Sequence, residues 1–294
     1  IQTKLLIDGD VIEVIPLPDG SVVGSFSAEY LNGEAIPFAN RLTRYNRLLR
    51  EGRIDPNWPL MSNEQVNVLV ADPADGSLLV GGNFDSLLGP QGNEARSRIG
   101  RLSADGGLLP WTLQPAAGES GLTSVTGIVP LADGGLVFVD DTEGDGSRLC
   151  TAAANALEFR CPQQIAGSPQ KLHAQADGSV LVEGARLKLG ASEESMLLRL
   201  LPQTLDWDSS FVFDSAHFGN RLAVAVQGNT VWAANNARLY RLAANGGVDE
   251  EDSLSLRGSL GDLHVAAGGQ VLVVENFAHP DLYRNYTRVS KILA

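Results

Sequence analysis

"RIGRLSADGG" (Arg98 to Gly107) returns 140 residues later as "RLYRLAANGG" (Arg238 to Gly247). A phrase repeated at that distance puts internal repetition ahead of any local reading, because periodicity decides the architecture. Upstream of the first copy stands "PADGSLLVGGNF" (73–84), an Asp-Gly turn that opens into an apolar run. The same pattern occurs as "LPDGSVVGSF", "LADGGLVFVD" and "QADGSVLVEG", and more weakly as "VQGNTVWAAN" and "AAGGQVLVVENF". Their turn residues are Asp19, Asp75, Asp133, Asp177, Gly228 and Gly268.

Each turn follows a β-rich run such as "VIEVIPL" or "VNVLVAD", so strand, turn and strand make a hairpin. The opening phrase supplies a third strand, with counterparts in "RLTRYNRLLREG", "RLCTAAANA", "MLLRLLPQT" and "RVSKILA". A second turn then leads to a fourth strand, as in "GLLPWTL". Six such repeats fill the 294 residues, starting near 11, 65, 124, 169, 220 and 260. A four-stranded unit cannot bury both faces alone, and radial repetition is one solution. The spacing predicts an all-β fold, a single six-bladed β-propeller over 1–294 with four antiparallel strands per blade. Residues 1–8 are expected to complete the last blade, which otherwise stops at its third strand.

Composition agrees. Glycine is abundant (32), charged residues are few (19%), and no long helical periodicity is present. The net charge of −13 repels a nucleic-acid backbone or an anionic membrane, so neither is expected as a partner. No apolar run reaches bilayer length. In the third strands the arginines sit three apart (Arg41 and Arg44, Arg98 and Arg101, Arg238 and Arg241) and so point to opposite faces. One of each pair is expected to tie neighbouring blades.

With its repeats laid out, the second, "DGSLLVGGNFDSLLGPQGNEARSRIGRLSADGG", resembles the delta-60 repeat family, a bacterial β-propeller repeat of uncharacterised function. "RIDPNW" (Arg53 to Trp58) and "LDWDSSF" (Leu205 to Phe211) match the tail of the family's pattern. The resemblance implies a propeller that is periplasmic, extracellular or on the cell surface, often as a module of something longer. It brings no catalytic residues.

The two cysteines, Cys150 and Cys161, flank a turn that the repeat register places at Asn155-Ala156. A two-residue turn there makes them direct cross-strand partners, hence a disulfide and an oxidising compartment. The competing reading is two reduced core thiols.

Signatures of zinc sites, serine hydrolases and phosphate loops are absent. Two weaker features remain. "DTEGDGS" carries Asp141, Glu143 and Asp145 ahead of Gly146, like the first half of a Ca2+ loop without its closing Glu. Aligning the innermost strands on their turns gives polar exceptions among Val, Ile and Leu: Glu13, Lys171, His173, Asp262 and His264. These are expected to line the axial channel. Glu13, Asp262 and His264 form a candidate divalent-cation site of the lactonase-like kind, with Asn67 as a possible further ligand. A water-filled channel lined with functionless polar groups is the plainer alternative.

The main functional expectation is a non-catalytic binding or structural module without a cofactor, meeting a protein or surface glycan through one face of the ring. That face carries the long connections between second and third strands, with Phe26, Tyr30, Phe38, Leu87, Leu88, Phe277 and Tyr283 as candidate contacts. The alternative is a metal-dependent hydrolase with a cation at the axis.

Overall fold

The computed structural model describes residues 7–17, 19–31, 34–35, 45–49, 53–58, 62, 64–142, 146–219, 221–265, 271–278 and 285–292. Apart from a 3-10 turn at Ser215–His217, every regular element among them is a strand. The strands form six antiparallel units in chain order. In the first, β1 (Ile7–Pro16) pairs with β2 (Val22–Leu31), which also carries β3 (Glu34–Ala35) and β4 (Tyr45–Leu48). The second joins β5 (Val66–Ala71) and β6 (Leu78–Gly82) to β9 (Ile99–Leu102), with a separate ribbon of β7 (Ser86–Gly89) and β8 (Gly92–Ala95) in the connection.

After the short β10 (Gln114–Pro115), the third unit runs β11 (Val125–Pro130), β12 (Leu136–Thr142), β13 (Gly146–Ala152) and β14 (Glu158–Ala174). β14 is 17 residues long and does not stop at the blade boundary. Its first half pairs with β13, and its second half is the innermost strand of the fourth unit, with β15 (Val180–Lys188) and β16 (Ser195–Leu200). The fifth unit is β17 (Ala223–Gln227), β18 (Thr230–Ala234), β19 (Arg238–Leu242) and β20 (Val248–Ser255). The sixth is β21 (Ser259–Val265), β22 (Val271–Ala278) and β23 (Asn285–Ile292).

The units close on one another. β5 lies against β11, β11 against β14, β14 against β17, β17 against β21, and β21 and β23 against β1. The remaining junction, between the first and second units, is filled by Ile15, Leu17 and Tyr45 packing with Val66 and Leu69. Of residues 1–8, expected in the last blade, 1–6 lie outside the described residues, and Ile7 pairs with Leu31 in the first unit.

No single core exists among the described residues. Instead, each core cluster spans two consecutive units. Successive side chains of a strand point to opposite faces, and the second strands show what this does. Leu78 and Val80 pack toward the first unit, whereas Leu79 packs toward the third. Val180 and Val182 face the third unit, and Leu181 faces the fifth. A strand buried on both faces needs a continuous apolar run, which is why "SLLVGG" and "GLVFVD" lack polar alternation.

The Asp-Gly turns carry one residue more than a two-residue loop. In the first, Gly20 N–H donates to Leu17 O and Leu17 N–H to Ser21 O, and Gly20 takes φ 83°. That is a type I turn closed by a residue in the left-handed region, where Gly has no Cβ to clash. The Asp side chain completes it. Asp19, Asp75, Asp133 and Asp177 each accept the N–H two residues on, at 2.9 to 3.0 Å. The second turns reuse the design, with Gly106 N–H donating to Ser103 O and Gly246 N–H to Ala243 O. The fourth strand is shorter than expected in three units. It contracts to single bridges, Leu48 to Ile54, Leu102 to Leu108 and Leu200 to Trp207.

The arginines differ from expectation. Arg47 and Arg101, rather than Arg44 and Arg101, are the equivalent residues, and both turn back into their own unit. Arg101 meets Asp72 at 2.6 Å and Asp75 at 3.0 Å, while Arg47 meets Asp19 at 2.5 Å. The reason is register. Arg101 pairs with Leu79, only four residues past Asp75, so its own turn is the nearest anion. Arg98 bonds Asn83 O and Asp85, again within its unit. Arg199 adds a carbonyl of the next unit, Ala244 O at 2.9 Å, to its own Asp208, and Arg221, just ahead of β17, reaches Leu260 O of β21 at 2.6 Å.

Cys150 and Cys161 form a disulfide (S–S 1.99 Å, Cα–Cα 3.9 Å). Thr151 pairs with Arg160, the register expected from the repeat, but the connection is the five residues 153–157 rather than a two-residue turn. Asn155 occupies the left-handed position at φ 56°.

Candidate functional site

The innermost strands surround a cavity of about 550 Å³ on the ring axis. β5, β11, β14, β17 and β21 all contribute, with Tyr45 from the first unit. Its walls are polar and apolar in near-equal measure, and the lining residues Val66, Ile128, Val224 and Leu263 are themselves buried in the cores between units. The polar side chains on the lining are those of Gln65, Asn67, Thr126, Gln170, Lys171 and His173.

Pairing registers fix which positions are equivalent around the ring. The residue opposite the fourth position of each second strand, or the fifth of β18, is Glu13, Val68, Gly127, Lys171, Ala223 and Asp262 in turn. Two residues further along stand Ile15, Val70, Val129, His173, Ala225 and His264. Glu13, Lys171 and Asp262 therefore share one tier of the ring, and His173 and His264 share the next. Glu13 and Asp262 sit on β1 and β21, which touch. Side chains of Glu13, Asp262 and His264 lie outside the described residues. Lys171 and His173 are described, and both line the cavity.

One partner escapes sequence reading. Glu183 on β15 is buried, and its Oε2 lies 2.8 Å from His173 Nε2. It occupies the register position held by Ser25, Gly81, Val139, Ala234 and Val274 in the other units. The signal was present as an acidic residue in an apolar run, "VLVEG", but only the register, which sets Glu183 directly opposite Lys171, brings it diagonally to His173. Asn67 is on the lining, yet its amide nitrogen is spent on Ser124 Oγ (3.0 Å) and Val125 O (3.3 Å) of the next unit.

The other candidates separate. Asp141 is an exposed strand residue opposite Ser147, and Glu143 and Asp145 lie outside the described residues. Among the described residues no group of three or more His, Cys, Asp or Glu side chains is placed to hold a metal ion. Of the apolar residues expected on the looped face, Leu87 is a core residue, 1% exposed, and Leu88 is half-buried. Leu87 is drawn in because the β7–β8 ribbon folds back and bridges to Ser62. Phe26, Tyr30 and Phe277 lie on strands, but their side chains are outside the described residues, as are Phe38 and Tyr283 altogether.

Around the rim, the turn carboxylates are held below their ordinary value. For Asp19 and Asp75 the leading cause is the hydrogen bond from the hydroxyl of Ser21 or Ser77, and for Asp105 that from Ser103. For Asp177 and Asp208 burial pushes upward first, and the hydroxyl and N–H of Ser179 or Ser210 outweigh it.

No family model matches the sequence, and no curated protein matches it either. Solved structures do. The chain is similar to a gluconolactonase from Xanthomonas campestris (TM-score 0.61, 14% identity, 98% of this chain and 89% of that one). It is also similar to the virginiamycin B lyase of Staphylococcus aureus (TM-score 0.53, 13% identity, 98% and 87%). A puromycin hydrolase is a third (TM-score 0.51, 14% identity, 97% and 52%). Identities this low establish a β-propeller and nothing finer about chemistry.

Proposed function

We propose that this protein is a non-catalytic recognition module, a six-bladed propeller whose last blade is completed by the segment ahead of Ile7 and whose sequence belongs with the delta-60 repeats. The observation that carries the reading is the axial cavity. A concave volume of about 550 Å³, lined in near-equal measure by polar and apolar surface, is of the size of a small-molecule binding site. The looped face is the second surface, for a protein or surface glycan. The Cys150–Cys161 disulfide supports work in an oxidising compartment, periplasmic, extracellular or on the cell surface.

One observation favours a second reading. Glu13 and Asp262 share a tier on touching strands, as two carboxylate ligands of a divalent cation such as Ca2+ would. The gluconolactonase and the puromycin hydrolase are consistent with a hydrolase on this scaffold.

Thermal unfolding separates the two. A recognition module keeps its midpoint with EDTA or with added Ca2+, Mg2+ or Zn2+, and gains stability from an organic ligand, about 2.7 kcal/mol at a hundred times Kd. A large cation-specific rise, abolished by Glu13→Gln and accompanied by lactone or ester hydrolysis, would replace the module with the enzyme.

A further inference from the structure

We infer that the ligand of the axial cavity is the neutral, polyhydroxylated end of a glycan, and that a tier of β-bulges presents Asn67, Thr126 and Gln170 to its hydroxyls; this holds only if the cavity is a ligand site.

Five of the six innermost strands carry one extra residue at the same register. It is Ile12, Asn67, Thr126, Gln170 and Gly261 in the first, second, third, fourth and sixth units. Each stands opposite the step between the fourth and fifth residues of its second strand, as between Gly81 and Gly82 or Glu183 and Gly184. The ladder of the fifth unit has no such shift. A bulge breaks the alternation of a strand and re-aims a side chain. The bulge itself does not demand a polar residue, because Ile12 and Gly261 serve in two units. Three consecutive units nevertheless place an amide, a hydroxyl and an amide there, and all three residues line the cavity.

These side chains are not committed to the cores. Their neighbours Val66, Val68 and Val125 are packed between units, whereas Asn67 and Thr126 are half-buried and Gln170 is exposed. Asn67 Nδ2 donates to Ser124 Oγ and Val125 O, which fixes the orientation of the amide and leaves Oδ1 as an acceptor. Among the described residues, the Thr126 hydroxyl and the Gln170 amide have no hydrogen-bond partner. The tier therefore offers donors and acceptors, and no charge of its own.

That set restricts the ligand. A sugar hydroxyl both donates and accepts, so neighbouring hydroxyls can answer an acceptor, a hydroxyl and an amide in turn. A peptide N–H or C=O does only one of the two, and an apolar body would leave all three polar groups without a partner. Position agrees. The bulges stand at the ends of the inner strands remote from the Asp-Gly turns, where the second strands run into their looped connections. A glycan end arriving at the looped face reaches this tier first.

The test uses the methyl glycosides of glucose, galactose, mannose and N-acetylglucosamine, with cyclohexanol as the apolar probe and acetyl-tetraglycine amide as the peptide. Binding to the 294-residue chain is read by saturation-transfer NMR and titration calorimetry. At least one glycoside is expected to bind about tenfold more tightly than cyclohexanol or the peptide. Thr126→Val and Gln170→Leu should each weaken it about fivefold, while Thr126→Ser keeps the native affinity. Unfolding midpoints equal to the native one show that the variants fold. A glycoside that binds both variants as tightly as the native chain overturns the assignment to the bulge tier. Cyclohexanol or the peptide bound in preference overturns the glycan class. Either result leaves the cavity reading standing, and no binding by any probe overturns both.

Discussion

Asp140, fully buried on β12, faces Arg148 directly across the ladder to β13, with Oδ2 2.5 Å from Nη2. Its other oxygen accepts the N–H groups of Thr123 and Ser124 at 2.7 and 2.9 Å. One carboxylate thus ties the entry to β11, the second strand and the third. Glu275 plays the same part in the last unit, where it accepts from Arg257 N–H and Gly258 N–H.

Replacing Asp140 with Ala should lower stability by roughly 3–5 kcal/mol, because two N–H groups lose their acceptor and Arg148 its counter-charge, keeping only Ser120 Oγ and Gly121 O. Asp140→Asn should cost less, since its carbonyl still accepts from the backbone. Urea unfolding at constant slope checks both. Equal losses for the two variants would mean that charge, not hydrogen bonding, sets the value.

The disulfide closes a short loop, with 11 residues of separation. Removing it as Cys150→Ala/Cys161→Ala should cost about 3 kcal/mol through the freer unfolded chain. Reductant should lower the unfolding midpoint of the native protein and leave the double variant unmoved. A midpoint indifferent to reductant, with thiols then free to alkylation, would contradict this.

Gly167 lies in the middle of β14 with φ 94°, and a Cβ there would stand 2.3 Å from Arg186 O. The partner is backbone and cannot swing aside. Gly167→Ala should therefore destabilise by roughly 1–3 kcal/mol, read as a fall in the denaturant midpoint. Gly190→Ala, at φ 56° with open space around it, should cost less than Gly167→Ala.

Acid should weaken the turns. Asp19, Asp75, Asp105, Asp177 and Asp208 are all held below the ordinary 3.8 in the folded chain. A depressed folded value means that the stabilisation is complete above the unfolded value, about 4, and is lost as pH falls through the folded one. Unfolding midpoints should thus be insensitive to these groups above about pH 5 and fall below about pH 4. A chain with Asn at 19, 75, 105 and 177 should show a shallower acid limb. An unchanged limb would assign the acid sensitivity to buried carboxylates such as Asp140.

Much of this was legible because turn chemistry is local. Asp-Gly followed by an apolar run specifies a hairpin wherever it occurs, and the register it sets carried through to Cys150 and Cys161. The arginines were harder. "RLTRYNRLL" offers three of them, and only the pairing of Val23 with Arg47 identifies the one equivalent to Arg101. Glu183 was hidden for a related reason. A residue's neighbour across a ladder depends on where the strands begin, and ten positions separate it from His173 in the chain. The β7–β8 ribbon read as an open loop because its strands are four residues each and share no alternation with the repeat.

β14 has a mechanical consequence. Blades joined by loops can tilt independently, each about its own connection. The third and fourth blades instead share one uninterrupted backbone from Glu158 to Ala174, hydrogen-bonded on the way out to one sheet and on the way in to the next. The two blades thus form one continuous sheet, which carries His173 and Glu183. A change of tilt between blades is therefore more readily taken up at the other seams, and Lys171 and His173 keep their place relative to the third blade.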